Sequence, residues 1–150
     1  MNEAKQKQFA GLRILFGIVW LVDAILKWNP HFLNNFLDHI TESAIGQPVI
    51  IHHWIELWAQ ASTISPHTIA ISVAIIETLI AFFLISGIFA RPAIIVGAIF
   101  SFLIWSTAEG FGGPYGAAST DVGASIVYVF VFLALYFGES WKQFSVSRRA

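Results

Sequence analysis

Long apolar runs alternate with short polar breaks along this chain, and four of the runs approach membrane-crossing length. The first covers about 9–28 and stops at Asn29-Pro30. The second covers about 67–89, after Ser65-Pro66. The third opens at Pro92, a favoured first-turn residue, and runs to about 107. The fourth covers about 120–138, where Ser119-Thr120-Asp121 supplies N-cap residue types. A helical bilayer crossing needs roughly 17–25 residues, so the third run sits at the lower limit. The pattern predicts an all-α integral membrane protein, a four-transmembrane-helix bundle forming one domain over 1–150.

The segment 30–66 between the first two runs is too patterned for a plain loop. Phe32, Phe36, Leu37 and Ile40 share one helical face, as do Ile51, Trp54, Ile55 and Trp58. His52, Glu56 and Gln60 fall on another face. The spacing predicts two short amphipathic helices, split at Gly46-Gln47-Pro48, lying flat at the membrane interface or capping the bundle. The connection from Glu109 to Gly116 is rich in turn formers.

Charge orients the bundle. Lys5, Lys7, Arg13, Arg91, Lys142, Arg148 and Arg149 fall on one side of the four-run pattern, with Lys27 the exception at the far end of the first run. The segments 29–66 and 108–119 hold no Lys or Arg, and all five His lie on that side. Cytoplasmic loops carry the excess of Lys and Arg, so both termini are predicted cytoplasmic, in the cell inner membrane. The N-terminal run contains Arg13 and Asp23 and lacks a small-residue cleavage site, so it is expected to remain as a span rather than act as a removable signal.

Composition agrees with this placement. Only 11% of residues are charged, against about 25% in soluble domains, and mean hydropathy is +0.72. A net charge of −1 argues against nucleic-acid binding. The chain has no cysteine, which excludes disulfides, thiolate-held iron–sulfur clusters and covalently attached haem.

The ionisable residues inside the runs are the candidates for chemistry. A charge at mid-membrane costs about 2.5–3.5 kcal/mol on insertion scales, so such groups face a bundle interior or a wet cavity. Arg13, Trp20 and Lys27 are spaced by sevens and nearly align, with Asp23 roughly 80° from Arg13 on the same wheel. Asp23 and Lys27, four apart, can pair along the helix. Glu77 lies near the centre of the second run and is expected to pair with Arg13. These groups read either as a salt-bridge network that fixes helix register or as a polar cavity that relays protons. In the fourth run Asp121, Ser125 and Tyr128 share a face. Asp121 serves either as an N-cap or as the outer mouth of a site, and Tyr128 either donates to a quinone carbonyl or bonds a neighbouring helix. His52, His53 and Glu56 have a spacing found in metal sites and equally on any wet helix face, and no metal is assigned to them.

Two stretches resemble the DoxX/DoxD-like family of small four-helix membrane proteins. One is LRILFGIVWLVDAILKW. The other is AIIETLIAFFLISGIFARPAIIVGAI, where Glu77, Gly87, Arg91 and Pro92 follow the family order of an acid, a Gly, and an Arg ahead of the third helix. By span number and spacing the resemblance covers nearly the whole chain. It implies Arg13, Lys27, Glu77 and Arg91 as pattern residues, and a link to quinone chemistry like that of the small subunit of thiosulfate:quinone oxidoreductase. The resulting expectation is a membrane subunit of a quinone-linked oxidoreductase, possible substrates including small sulfur compounds. Glu77 and Asp23 would be its proton carriers; Arg13, Lys27, Tyr128 and Asp121 its quinone-binding residues. Quinone is the one cofactor implied, and a partner subunit or a homo-oligomer is expected in the bilayer. The alternatives are a non-catalytic anchor or assembly subunit, docking through Trp54 and Trp58, and then a small transporter or channel.

Overall fold

The computed structural model describes residues 2–116, 119 and 121–145. Thr120, Arg148 and Arg149, named above, lie outside the described residues. Among the described residues seven α-helices account for most of the structure: α1 Glu3–Lys27, α2 Pro30–Asn34, α3 Phe36–Glu42, α4 Val49–Ser62, α5 Pro66–Ser86, α6 Ala90–Ser106 and α7 Ala124–Phe137. Helices α1 and α5 are long and apolar enough to cross a membrane, while α6 and α7 are apolar but shorter.

Helix α1 starts six residues before its apolar run. Glu3 to Gln8 are mostly strong helix formers, and Asn2 caps the first turn by accepting from the Lys5 amide at 3.0 Å. The segment 30–66 holds three helices rather than two. Asn29 caps α2, with Pro30 at its first position. Phe36 and Ile40 of α3 pack on Ile55 and Ala59 of α4 and on Ala70 of α5, the expected apolar face. The other side of α4 leaves Ile50, Trp54 and Leu57 exposed, as is Ile64 just beyond its end.

Helix α1 packs against α5 through small residues. Ala10, Gly17 and Ala24 of α1 and Ala70, Ala74 and Ala81 of α5 are all buried. A Cβ on Gly17 would stand 2.9 Å from Ile85 Cγ1 and 3.0 Å from Leu84 Cβ, so the two backbones meet closely there. That contact fixes an antiparallel register in which residue 17 lies level with 84–85. The core beside it stacks aromatic rings: Phe16, Trp20 and Phe132 are all buried, with centroids of Phe16 and Phe132 4.9 Å apart. Around this core Leu15, Ile18, Val22, Ile25, Phe82, Ile99 and Phe130 point outward and exposed. Apolar surface on that scale marks contact with lipid or protein rather than water.

Helices α6 and α7 meet where Phe132 lies over Gly97. A Cβ there would overlap the ring, so Gly97→Ala is expected to lower stability by about 1–3 kcal/mol, read as the midpoint of thermal unfolding in detergent. An unchanged midpoint would show that the ring moves aside at no cost.

In the outer layer His52 joins α4 to the turn before it. Its Nδ1–H donates to the Ala44 carbonyl at 3.1 Å, and Nε2 lies 3.1 Å from the Glu56 carboxylate, which His53 Nδ1 also approaches at 3.3 Å. The bond to the Ala44 carbonyl, assisted by Glu56, raises the His52 pKa above its ordinary 6.5. A raised folded-state value means that the imidazolium's stabilising contribution is complete below pH ~6.5 and lost as pH climbs through the folded value. The unfolding midpoint is therefore expected to fall slightly just above pH 6.5, and His52→Asn to flatten that fall. An equal slope in both proteins would contradict this.

Candidate functional site

One stripe of α1 meets α5 and α7 around a polar cavity of about 170 Å³. Trp20, Asp23 and Lys27, at i, i+3 and i+7, come from α1; Glu77 comes from α5; Ser125 and Tyr128 come from α7. Glu109, in the connection after α6, and Ile104 complete the wall. Tyr128 donates to Asp23 Oδ2 at 3.0 Å. Glu109 accepts from the Ser125 amide at 3.1 Å and the Ser125 hydroxyl at 2.7 Å, so it caps the start of α7.

Two groups in this wall are buried with no partner. Glu77 is 2% exposed and its Oε2 accepts no hydrogen bond. Trp20 is also 2% exposed and its Nε1–H donates none. A buried polar atom left unsatisfied costs about 1–3 kcal/mol, and both of these are enclosed by protein rather than open to the cavity space.

A second lobe of about 220 Å³ adjoins the first, sharing Lys27, Glu77 and Ile104 with it. Phe32, Phe36, Trp58, Val73, Phe100 and Leu103 make this lobe mainly apolar. Roughly 150 Å³ of dry cavity accommodates a benzene ring, so each lobe has room for one six-membered ring. A larger groove of about 360 Å³ runs between α5 and α6, but its walls are wholly apolar, from Ile76 and Leu79 to Phe89 and Val96, and it presents no chemistry.

The structure thus brings together Asp23, Lys27, Glu77 and Tyr128 from the residues expected on sequence grounds, and separates two others. Arg13 does not pair with Glu77. It is fully buried near the middle of α1, where Nη1 donates to the Ser140 carbonyl at 2.9 Å and Nη2 to the Phe144 carbonyl at 2.9 Å. It fastens the C-terminal residues beside Gly87, whose carbonyl accepts from Ser145 Oγ at 2.8 Å. The register explains the separation: with residue 17 level with 84–85, Glu77 lies level with 24 or 25. Arg13, eleven positions earlier, is about 16 Å away along the axis. Asp121 is the other correction. It accepts from the Gly123 amide at 2.8 Å, outside the cavity wall, and Gly123, at φ 89°, occupies the N-cap position.

The expected Asp23–Lys27 ion pair is not among those formed by the described residues. Asp23 instead receives Tyr128, and Lys27 Nζ sits 4.9 Å from the centroid of the Phe32 ring. Arg91 lies over the rings of Tyr136 and Trp141, away from the cavity. Trp58 lines the apolar lobe and is half-buried, and its ring meets that of the exposed Trp54 edge-on, with centroids 5.8 Å apart. Among the described residues no group of three His, Cys, Asp or Glu is placed to hold a metal.

Sequence reasoning missed Glu109 and the cavity role of Trp20. Trp20 already lay on the polar stripe of α1. Glu109 was the one acid in a glycine-rich connection, which composition alone marks only as a turn. No protein-family model, curated protein or solved structure matches the chain.

Proposed function

We propose that the chain is a four-span protein of the inner membrane with both termini cytoplasmic, and that it is the quinone-binding membrane subunit of an oxidoreductase. The spans are α1, α5, α6 and α7. At ~1.5 Å rise per residue α6 and α7 are roughly 25 and 21 Å long, short of a ~30 Å hydrocarbon core. Irregular backbone at membrane depth is tolerated where it lines a cavity, and Glu109 in the α6–α7 connection lines one. The orientation is supported by Arg13, Arg91 and Lys142 gathering at one end of the bundle, where α1 meets the C-terminal residues.

The observation that carries the functional reading is a ring-sized cavity lined by Asp23, Lys27, Glu77 and Tyr128, beside an apolar one that shares Lys27 and Glu77 with it. A quinone is a polar ring on an apolar body, so the two lobes suit it. Bound there, it supplies a two-electron, two-proton acceptor. Lys27, in the cavity wall, is the charged donor available to a ring oxygen. Glu77 and the Asp23–Tyr128 pair hold protons beside it. The order of Glu77, Gly87, Arg91 and Pro92, resembling the DoxX/DoxD-like pattern, points the same way. The chain has no sulfur-based redox group, so a partner or a small donor, such as a sulfur compound, delivers the electrons.

The test is quinone reduction in membrane vesicles from cells with and without the chain, using decylubiquinone with thiosulfate as donor. The expected result is a rate lost on deletion and restored by re-expression. A rate that does not depend on the chain, with this and other sulfur donors, would leave an anchoring subunit as the better reading.

A further inference from the structure

The two lobes are shorter than a long-tailed amphiphile. Roughly 150 Å³ holds a benzene ring, so the polar lobe, at about 170 Å³, is filled by a ring alone. A tail therefore lies in the apolar lobe, which adjoins the first at Lys27, Glu77 and Ile104 and holds about 220 Å³. A long tail outruns that space and has to leave it. The wall of the apolar lobe is buried or half-buried except at two residues, Ala61 of α4 and Ala108 just after α6. Both end in a methyl group, so the exposed rim carries the least bulk on this wall. Ala61 continues the exposed apolar face of α4, with Leu57 four positions before it and Ile64 three after. Helix α6, which leads into Ala108, is exposed at Ile99 and Phe102. Apolar side chains left open on both elements suit hydrocarbon rather than water.

We propose that Ala61 and Ala108 frame a lateral portal, open to the membrane leaflet away from the termini, through which a lipid-dissolved amphiphile reaches the polar lobe and in which its tail then rests. This rests on the membrane placement and the quinone-site reading, and adds the route and the residues that set tail tolerance. The portal lies at the level where α1 ends, at Lys27, and α5 begins, at Ile69. Lys27 and Phe32 stand on the way inward, with Nζ 4.9 Å from the ring centroid. The entering ring passes that cation before it meets Asp23 and Tyr128. Entry from hydrocarbon keeps the tail out of water throughout.

The experiment has two arms, both on the full chain. In the first, Ala61→Cys carries a bimane label in phosphatidylcholine vesicles; the chain has no cysteine of its own, so the label is unique. Lipid brominated on its acyl chains is expected to quench the label strongly and aqueous iodide only slightly. Iodide quenching as strongly as the brominated lipid would overturn the proposal, because the rim would open to water. In the second arm, decylubiquinone and the same ring lacking its tail are titrated calorimetrically in detergent. Ala61→Trp and Ala108→Trp, both at exposed positions, are each expected to weaken decylubiquinone by about tenfold or more, as for roughly two methylenes removed from apolar contact. The tailless ring is expected to bind each variant as it binds the parent, and Gln60→Trp, off the wall, to change neither ligand. Decylubiquinone bound as tightly by both wall variants as by the parent, or an equal loss for the tailless ring, would overturn the proposal while the quinone-site reading stands. No binding of either ring by the parent would end both.

Discussion

Glu77→Gln is expected to cut quinone-dependent turnover by about 10²–10⁴-fold while the protein still folds and inserts. That range is what a positioned proton-transfer group contributes. The substitution preserves volume and the ability to hydrogen-bond, and among the described residues Glu77 forms no ion pair whose partner would be left stranded. The cost of burying Glu77 is not offset by a structural bond to Oε2, which makes a purely architectural role a poor explanation for its position. Comparing turnover per folded molecule between the two proteins checks this. Equal turnover, or a loss fully explained by lower expression, would move Glu77 from chemistry to architecture.

Arg13→Met is expected to have the opposite signature, lowering stability by about 3–5 kcal/mol with no direct effect on the cavity. The guanidinium is wholly enclosed and donates to the carbonyls of Ser140 and Phe144. Removing it leaves buried acceptors bare, and each unsatisfied group costs about 1–3 kcal/mol. Arg13→Lys is expected to recover less than half of the loss, since one ammonium does not reproduce the planar fork that spans two carbonyls. Denaturation in detergent followed by circular dichroism reads the shift. A variant as stable as the parent would mean that the C-terminal residues hold their place without this clamp.

The difference between these two residues shows what the sequence made legible. Hydropathy marked both as charges inside apolar runs, and the runs themselves became α1, α5, α6 and α7 with modest changes at their ends. Which charges meet was not legible, because it depends on the register between antiparallel helices. The contact of Gly17 with Leu84 and Ile85 sets that register, and it places Arg13 beside Gly87 rather than beside Glu77. The face of α1 that carries Trp20, Asp23 and Lys27 was readable from periodicity alone, and it does line the cavity. Glu109 was not readable, since its role comes from a connection folding back over the first turn of α7. Asp121 misled for a local reason: its residue type suits an N-cap, but Gly123 takes a backbone conformation that residues with a side chain rarely adopt, and so starts the helix two positions later. In segment 30–66 the apolar face of α3 followed its spacing, and that of α4 did so at Ile51 and Ile55 but not at Trp54, which is exposed. The third helix, α2, escaped notice because five residues carry too little periodicity to register.

The account depends most on the space beside Trp20 and Glu77 being where a ring amphiphile sits. Photolabelling with an azido-quinone in native membranes, followed by peptide mapping, tests this directly. The predicted result is adducts on the segments carrying Trp20, Ile104 and Tyr128, displaced by excess decylubiquinol and absent in a variant whose cavity is filled, such as Ser125→Trp. Adducts confined to the apolar groove between α5 and α6, around Leu79 and Phe89, would contradict it.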